Sequence, residues 1–347
     1  MPWNEALSGD EPRYLPRFSH LYVEEGAMED PVTKRLLAAF PRAQVVPIAH
    51  YKDVFNRRRQ NILLQHRCQN LIVAGRREKS VFPGAPVCQS FGNEHFYYCS
   101  SVMNCLYDCS YCYLKGMYPS GNLVVFADLD RIFAEVETLL AKFPVYLCVS
   151  YDTDLLPLEG LLGYVSRWCA FTKDHPGLSI EIRTKCGRQD LFASLPKSER
   201  VIFAFTLSPK EVISSYERGA GSLAERLLAA RAAKDAGFPI RLCFDPMLAL
   251  PGWERAYGEL VEETAKTIDL AGVRDFSVGT FRISDQYLAA LRRCEPGCAL
   301  VQYPFVTDHG TCSYPPALAK RMEEFLAGEL RSRDPEAKIF FWEEPAT

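Results

Sequence analysis

Short apolar runs alternate with longer segments in which apolar residues recur every three or four positions. The alternation sets in near residue 121, where VVFA precedes DLDRIFAEVETLLAKF, VYLCVSY precedes LEGLLGYVSRWCAFTK, and LSIEIRT precedes QDLFASL. It continues with VIFAFTL and SLAERLLAARAAKDAG, IRLCFDPML and WERAYGELVEETAKTIDLAG, and DFSVGTF and DQYLAALRR. Short apolar strands joined by amphipathic helices predict a parallel sheet with crossover helices. Six such units predict an α/β fold, a partial (β/α)6 barrel of TIM type rather than a closed eight-stranded one. Barrels of this kind place chemistry at the C-terminal ends of their strands.

Upstream, SHLYVEE, AQVVPIAH and QNLIVAGR read as strands, with PVTKRLLAAF as a helix between the first two. Proline and glycine crowd the stretch SVFPGAPVCQSFGN and mark a boundary. The pattern therefore predicts a small N-terminal α/β extension over residues 1–95. The barrel, with a C-terminal hairpin and helix, is expected over residues 96–347.

Composition narrows the class. With 48% hydrophobic residues the chain can bury a sizeable core. No apolar run reaches the ~20 residues that span a bilayer, and the N-terminal MPWNEALSGDEPR lacks a secretory pattern, so a soluble cytoplasmic protein is expected. The formal net charge of −3 gives no overall signature of a nucleic-acid binder, although a local patch could hide within it. Arg57-Arg58-Arg59, Arg76-Arg77-Glu78-Lys79 and Arg292-Arg293 read as solvated surface. Thirteen cysteines, an odd number in a large chain, argue against a disulfide framework. They leave metal ligation, redox chemistry or buried thiols, and Cys169 and Cys243 fit the last.

Cys105-Leu-Tyr-Asp-Cys109-Ser-Tyr-Cys112 has the spacing CxxxCxxC. Three thiolates on one tight loop can hold three irons of a 4Fe-4S cluster. The fourth iron is then open to the amino and carboxylate groups of S-adenosylmethionine, whose one-electron cleavage yields a 5′-deoxyadenosyl radical. A zinc loop remains as an alternative. Structural zinc wants four ligands, commonly from two pairs, and Cys294-Glu-Pro-Gly-Cys298 offers only a loosely spaced second pair.

The run Cys109-Ser-Tyr-Cys112-Tyr113-Leu114 resembles the cluster loop of spore photoproduct lyases, radical enzymes that reverse a thymine dimer in DNA. Further similar segments follow in order: Tyr216-Glu217-Arg-Gly219, Ser222-Leu-Ala-Glu-Arg226, Ala-Gly237-Phe-Pro239, Gly252-Trp253-Glu254 with Tyr257, and Ala337-Lys-Ile339. The resemblance implies Cys105, Cys109 and Cys112 as cluster ligands. It implies Tyr111, Thr153, Lys185 and Thr206 beside S-adenosylmethionine, with Lys185 as a charge partner for its carboxylate. It places Tyr113 near the radical relay and Arg282 on the substrate side. Its partners would be DNA carrying a UV lesion and a flavodoxin- or ferredoxin-type electron donor, with no membrane.

Two regions depart from that pattern. At the position of the family's hydrogen-donating cysteine stands Tyr151, ahead of Asp152-Thr153-Asp154-Leu155, while Cys148 lies three residues earlier. In an extended strand the two would face opposite sides. The hydrogen donor is thus Tyr151 or Cys148, or the reaction needs none there. The family's basic C-terminal hairpin is replaced by Phe305-Val306-Thr307-Asp308-His309-Gly310-Thr311-Cys312. His309 is a candidate substrate contact and Cys312 a second candidate donor. Repair of a UV-induced thymine dimer is the leading expectation. Another substrate for the same radical (RNA, a nucleotide or a peptide) is the alternative, and an iron–sulfur sensor without turnover a third reading.

Overall fold

The computed structural model describes residues 17–75, 78–85 and 88–342. The N-terminal MPWNEALSGDEPR and the pair Arg76-Arg77 lie outside the described residues.

The chain starts with strands β1 (His20–Glu24), β2 (Gln44–Ile48) and β3 (Leu71–Ala74), with β2 and β3 both parallel to β1. Between β1 and β2 runs the helix Pro31–Ala39. The Asp30 carboxylate accepts from the Val32 N–H at 2.7 Å, and Pro31 occupies its first turn. Strands β4 (Val81–Pro83) and β5 (Phe96–Cys99) then leave for a second sheet. The first sheet recovers two more members, β6 (Val102–Met103) and β8 (Leu123–Phe126). A two-residue strand, β7 (Asp108–Cys109), lies between them in the cysteine loop.

The second sheet is the barrel wall. It continues with β9 (Val145–Cys148), β10 (Leu178–Thr184) and β11 (Val201–Thr206). The short β12 (Glu217–Arg218) pairs with β7 outside the wall, before β13 (Ile240–Met247) and β14 (Asp275–Thr280) complete it. Strands β5, β9, β10, β11, β13 and β14 are parallel neighbours in that order. A separate antiparallel sheet comprises β15 (Arg282–Ser284), β16 (Val306–Asp308) and β17 (Thr311–Ser313), with β17 in the middle. Finally, β18 (Ile339–Phe341) adds in parallel to β14, while β4 caps the other edge antiparallel to β5. Among the described residues the order runs from β18 to β4 without a pairing between these two edges, in line with the partial (β/α)6 reading.

One strand of that reading is misplaced. The run VVFA is not the first barrel strand: its residues belong to β8, which lies parallel to β3 with Leu71 opposite Leu123. All four β8 residues are buried, and an apolar run of this kind suits a parallel strand covered on both faces in either sheet. The first barrel strand is instead the aromatic FYYC of β5, upstream of the cysteine loop. A boundary at residue 95 therefore does not separate two units. β4 lies before it yet belongs to the barrel, and β8 lies after it yet belongs to the N-terminal sheet. The consequence for the site is direct, because the cysteine loop now follows the C-terminal end of a barrel strand.

The barrel interior is tied by charge as well as packed. The Arg241 guanidinium, 1% exposed, donates to both Asp275 carboxylate oxygens, to Glu181 and to the Tyr146 hydroxyl at 2.7 Å. Tyr146 in turn donates to Glu181 at 2.6 Å. A buried cation with this many partners is tolerable only because each is a charge-assisted hydrogen bond. The network joins β9, β10, β13 and β14 at one level.

Candidate active site

A cavity of about 370 Å³ opens where the barrel strands end. Its wall includes all three cysteines of the CxxxCxxC loop. That loop is fastened from both sides. Asn104 takes the left-handed φ of 66° that asparagine tolerates, and its amide donates to the Ser120 and Asn122 carbonyls at 2.6 and 2.8 Å. Asp108 and Cys109, as β7, pair with Arg218 and Glu217. The Asp108 carboxylate accepts from Arg218 at 2.8 Å, and the buried Lys115 ammonium lies 2.5 Å from Asp108 and 2.6 Å from Glu295.

The short helix Leu114–Met117 after Cys112 presses on the helix Asp285–Cys294, and Gly116 permits the contact. A Cβ at Gly116 would stand 2.3 Å from the Tyr287 carbonyl oxygen. Gly116→Ala is expected to cost roughly 1–3 kcal/mol, since backbone must shift. A lowered denaturant midpoint checks this, and an unchanged midpoint contradicts it.

Cys109 is buried and Cys105 and Cys112 half-buried, and desolvation pushes the Cys105 and Cys112 thiols upward and Cys109 to about 11, with Lys185 pulling the other way on Cys109 and Cys112. Left to themselves they stay protonated, so the thiolate form calls for added positive charge at the loop. Among the described residues no three His, Cys, Asp or Glu groups converge on one point as a single ion requires. Three cysteines on one wall of the cavity are the residues that would each hold one iron of a 4Fe-4S cluster. Cys294 and Cys298 do not line the cavity, which removes the second zinc pair.

Beside Cys109 lies a charged knot. The Lys185 ammonium donates to the Tyr111 hydroxyl at 2.7 Å and to Glu217 at 3.1 Å, and it stands 3.8 Å from the Cys109 sulfur. Glu217 also accepts from Ser208 at 2.8 Å, from Tyr111 and from the fully buried Arg226. Burial works against the Glu217 charge, but Lys185 and Arg226 outweigh it and hold the carboxyl well below its ordinary range. Lys185, expected only as a cofactor contact, thus has its charge matched from within the protein. Thr206 and Thr153 line the same cavity, and the buried Thr153 hydroxyl has no hydrogen-bond partner among the described residues. A bound ligand with a polar atom at that point would satisfy it. Asp154, also on the wall, accepts from Thr184 at 2.8 Å and from the Lys185 N–H at 2.7 Å; burial raises its carboxyl to about 6.

Elsewhere on the wall stand Arg282, 3.4 Å from Asp245, and Arg183, 3.2 Å from Glu181. Cys148, Tyr151 and Tyr113 join them. β9 ends at Cys148 and the backbone bends beyond it, so Cys148 and Tyr151 both reach the cavity, which strict strand alternation would forbid. The Tyr113 hydroxyl donates to the Tyr151 carbonyl at 2.6 Å, and the Tyr151 ring stacks on Tyr98 at 4.1 Å.

Two sequence candidates are not brought to this place. Cys312 sits at the centre of the β15–β17–β16 sheet, where its register with Ile283 turns it into an apolar cluster; its sulfur lies 3.2 Å from the Thr307 hydroxyl. His309 occupies the hairpin turn with φ 42° and a side chain 90% exposed, 3.8 Å from Asp308. Neither lines the cavity. In the other direction, sequence reasoning missed Cys88, Asp154, Arg183, Asp245 and Glu217. Glu217 and Asp154 lay inside segments singled out for similarity, whereas Cys88 was hidden in the proline- and glycine-rich stretch.

A family model described as spore photoproduct lyase matches residues 16–288, well over half of the chain. The chain belongs to the spore photoproduct lyase family. Among curated relatives, the spore photoproduct lyase of Geobacillus sp. (strain Y412MC61) is 24% identical over 177 residues, 50% of this chain and 52% of that protein. That of Bacillus subtilis (strain 168) is 23% identical over 260 residues, 70% of this chain and 71% of that protein. The chain thus aligns with about half of the first relative's length. A solved spore photoproduct lyase variant with bound AdoMet and dinucleoside spore photoproduct superposes with a TM-score of 0.80 at 22% identity, covering 93% of this chain and 98% of that one. Another, complexed with dinucleoside spore photoproduct, gives 0.79 at 22% identity over 94% and 99%. At these identities the likeness establishes the family's fold. No helix among the described residues is long and apolar enough to cross a membrane.

Proposed function

We propose that this chain is a radical S-adenosylmethionine lyase that repairs a UV-induced thymine dimer in DNA. The observation that carries the reading is convergence: every site residue drawn from the sequence except Cys312 and His309 lines one cavity at the ends of the barrel strands. Cys105, Cys109 and Cys112 would hold a 4Fe-4S cluster. Tyr111, Lys185, Thr206 and the unpartnered Thr153 hydroxyl would hold S-adenosylmethionine. With both groups bound, the site would supply the chemistry of hydrogen-atom abstraction from carbon.

The protein's own part is enclosure and positioning. The largely apolar and aromatic walls limit the groups that can give up a hydrogen to the substrate and a few side chains. The Glu217–Lys185–Arg226 knot keeps its charges paired, so Lys185 donates hydrogen bonds without leaving an uncompensated cation. Arg282 and Arg183 offer donors for the polar edges of the lesion, and Tyr151, Cys148 and Tyr113 supply abstractable hydrogens beside them. The names of the relatives and of the dinucleoside-bound structures support thymine dimers as the substrate class. The electron would come from a flavodoxin- or ferredoxin-type protein. All thirteen cysteines are free thiols, the exposed Cys68 included, which supports a cytoplasmic setting.

A second reading keeps the radical and changes the target to an RNA, nucleotide or peptide. It is favoured by the hairpin, where the 70%-exposed Asp308 carboxylate would repel a phosphate backbone. The test is incubation of the reduced, reconstituted enzyme with irradiated DNA, followed by mass spectrometry. Restored thymine is expected. Intact lesions alongside continued S-adenosylmethionine cleavage would shift the conclusion to the second reading.

A further inference from the structure

We propose that a second cavity, bounded by Lys52, Lys79 and Arg131, binds a phosphate of the DNA backbone beside the lesion. The inference rests on the repair reading and says where the positive charge missing from the hairpin is made up.

The parallel part of the N-terminal sheet runs in the order β2, β1, β3, β8. From β1 the chain passes to β2 on one side, then returns on the other side as β3 and later β8, so its direction reverses between β1 and β3. Open parallel sheets bind ligands at such a reversal, in the crevice outside the carboxyl ends of the strands. A cavity of about 550 Å³ lies there. It takes Glu24 from the end of β1, His50 and Lys52 from beyond β2, Glu78 and Lys79 from beyond β3, and Arg131 from beyond β8. The Glu24 carboxylate is taken up by the loops themselves, accepting from the Tyr51 N–H at 2.7 Å and the Gly75 N–H at 2.9 Å.

The cations are the uncommitted part of this lining. Lys52 lies 5.9 Å from the Tyr51 ring and Lys79 lies 5.3 Å from the Phe82 ring; among the described residues neither they nor Arg131 form an ion pair. The Arg131 guanidinium makes one long hydrogen bond, 3.5 Å to the Glu78 carbonyl, and its buried Nε–H has no hydrogen-bond partner among the described residues. Three cations against Glu24 and Glu78 leave the lining net positive. A guanidinium with donors to spare beside two ammonium groups suits the tetrahedral oxygens of a phosphate.

Position ties this cavity to the active site. Val81 pairs with Cys99, the last residue of β5, so Lys79 stands beyond the C-terminal end of that barrel strand, where the active-site cavity opens. A row of rings joins the two places. Phe82, under Lys79, stacks on Tyr98 at 5.4 Å, and Tyr98 stacks on Tyr151 of the active-site wall at 4.1 Å. The cations are also held in register. The Glu135 carboxylate accepts from the Ser80 and Val81 N–H groups, each at 3.0 Å, and Glu135 sits one turn from Arg131 on the helix Leu129–Leu140. A strand whose lesion occupies the active site thus meets partly exposed rings and then cations along one path, the combination that grips a single strand by stacking and backbone charge.

The test sets the double variant Lys52→Gln/Lys79→Gln against a charge-matched control, Lys142→Gln/Lys173→Gln, whose exposed lysines precede the N-terminal ends of β9 and β10. Binding of a fluorescent, irradiated oligonucleotide to the reconstituted enzymes is followed by anisotropy over a range of salt. The cavity pair should bind roughly tenfold to a hundredfold more weakly at about 0.1 M salt, with a slope of log affinity against log salt shallower by about 1–2. Arg131→Gln should act in the same direction, and the control pair should keep the parent's slope. Repair of dinucleoside spore photoproduct, which carries no flanking backbone, should continue at the parent rate in every variant. A cavity pair with the parent's affinity and slope overturns the proposal, and so does a control pair that weakens binding equally. A parent that repairs neither substrate overturns the repair reading, while the binding comparison still decides the site.

Discussion

Cys105→Ala, Cys109→Ala and Cys112→Ala are each expected to abolish bound iron above background, the broad visible absorbance of the reconstituted protein, and S-adenosylmethionine cleavage. The loss should be near complete, because a cluster with three protein thiolates has no spare ligand. The fold should survive. The loop is held by the Asn104 amide, by Asp108 with Arg218 and by Lys115 with Glu295, none of which uses a cysteine side chain. The unreconstituted variants should therefore unfold within about 1–2 kcal/mol of the unreconstituted parent, the scale of losing one small buried group. Iron content and thermal unfolding measured on the same preparations separate the two. Full iron retention in any of the three variants contradicts the ligand assignment.

Glu217→Gln is the substitution expected to cost the most stability, about 3–5 kcal/mol. It removes one member of a buried charge set and leaves Arg226, 0% exposed, beside Lys185 without a counterion. The same carboxylate sets a pH dependence. Its carboxyl is held below the ordinary value of 4.5 in the folded protein, so the folded state favours ionisation more than the unfolded state does. The stabilisation is fully present above about 4.5 and drains away as pH falls further. The parent should therefore lose stability more steeply than Glu217→Gln below that pH in denaturant titrations. Parallel pH profiles would show that the knot carries no such coupling.

Much of the fold was legible because its strands are aliphatic and its helices amphipathic. β10, β11, β13 and β14 and the helices between them follow that rhythm. The exception is instructive. β5 reads FYYC, with three of its four residues only partly buried, so it carries no aliphatic signal. β8 carries a strong one and was drawn into the barrel, although its partner is β3. Periodicity reports burial, and it cannot report which of two sheets does the burying.

The site was legible where side chains sit on a local motif. Cys105, Cys109 and Cys112 share one loop and line one cavity, and the proposed cluster site rests on their spacing. Lys185 was found, but its partner Glu217 lies 32 positions away, and only tertiary structure brings the two to 3.1 Å. Cys88 and Tyr151 are separated by 63 positions and gave no joint signal. Cys312 and His309 were misdirected by composition: a cysteine and a histidine in a glycine-containing hairpin read as chemistry. The register Ile283 to Cys312 buries one, and the turn at His309–Gly310 exposes the other.

The central claim is that this cavity holds a cluster and S-adenosylmethionine and turns them to radical chemistry. Its most direct test is anaerobic reconstitution with iron and sulfide, reduction, and quantitation of 5′-deoxyadenosine formed from S-adenosylmethionine. The account predicts 5′-deoxyadenosine from the parent and none from the Cys109→Ala protein. A fully loaded, reduced parent that leaves S-adenosylmethionine intact, with the dinucleoside lesion present or absent, would contradict it.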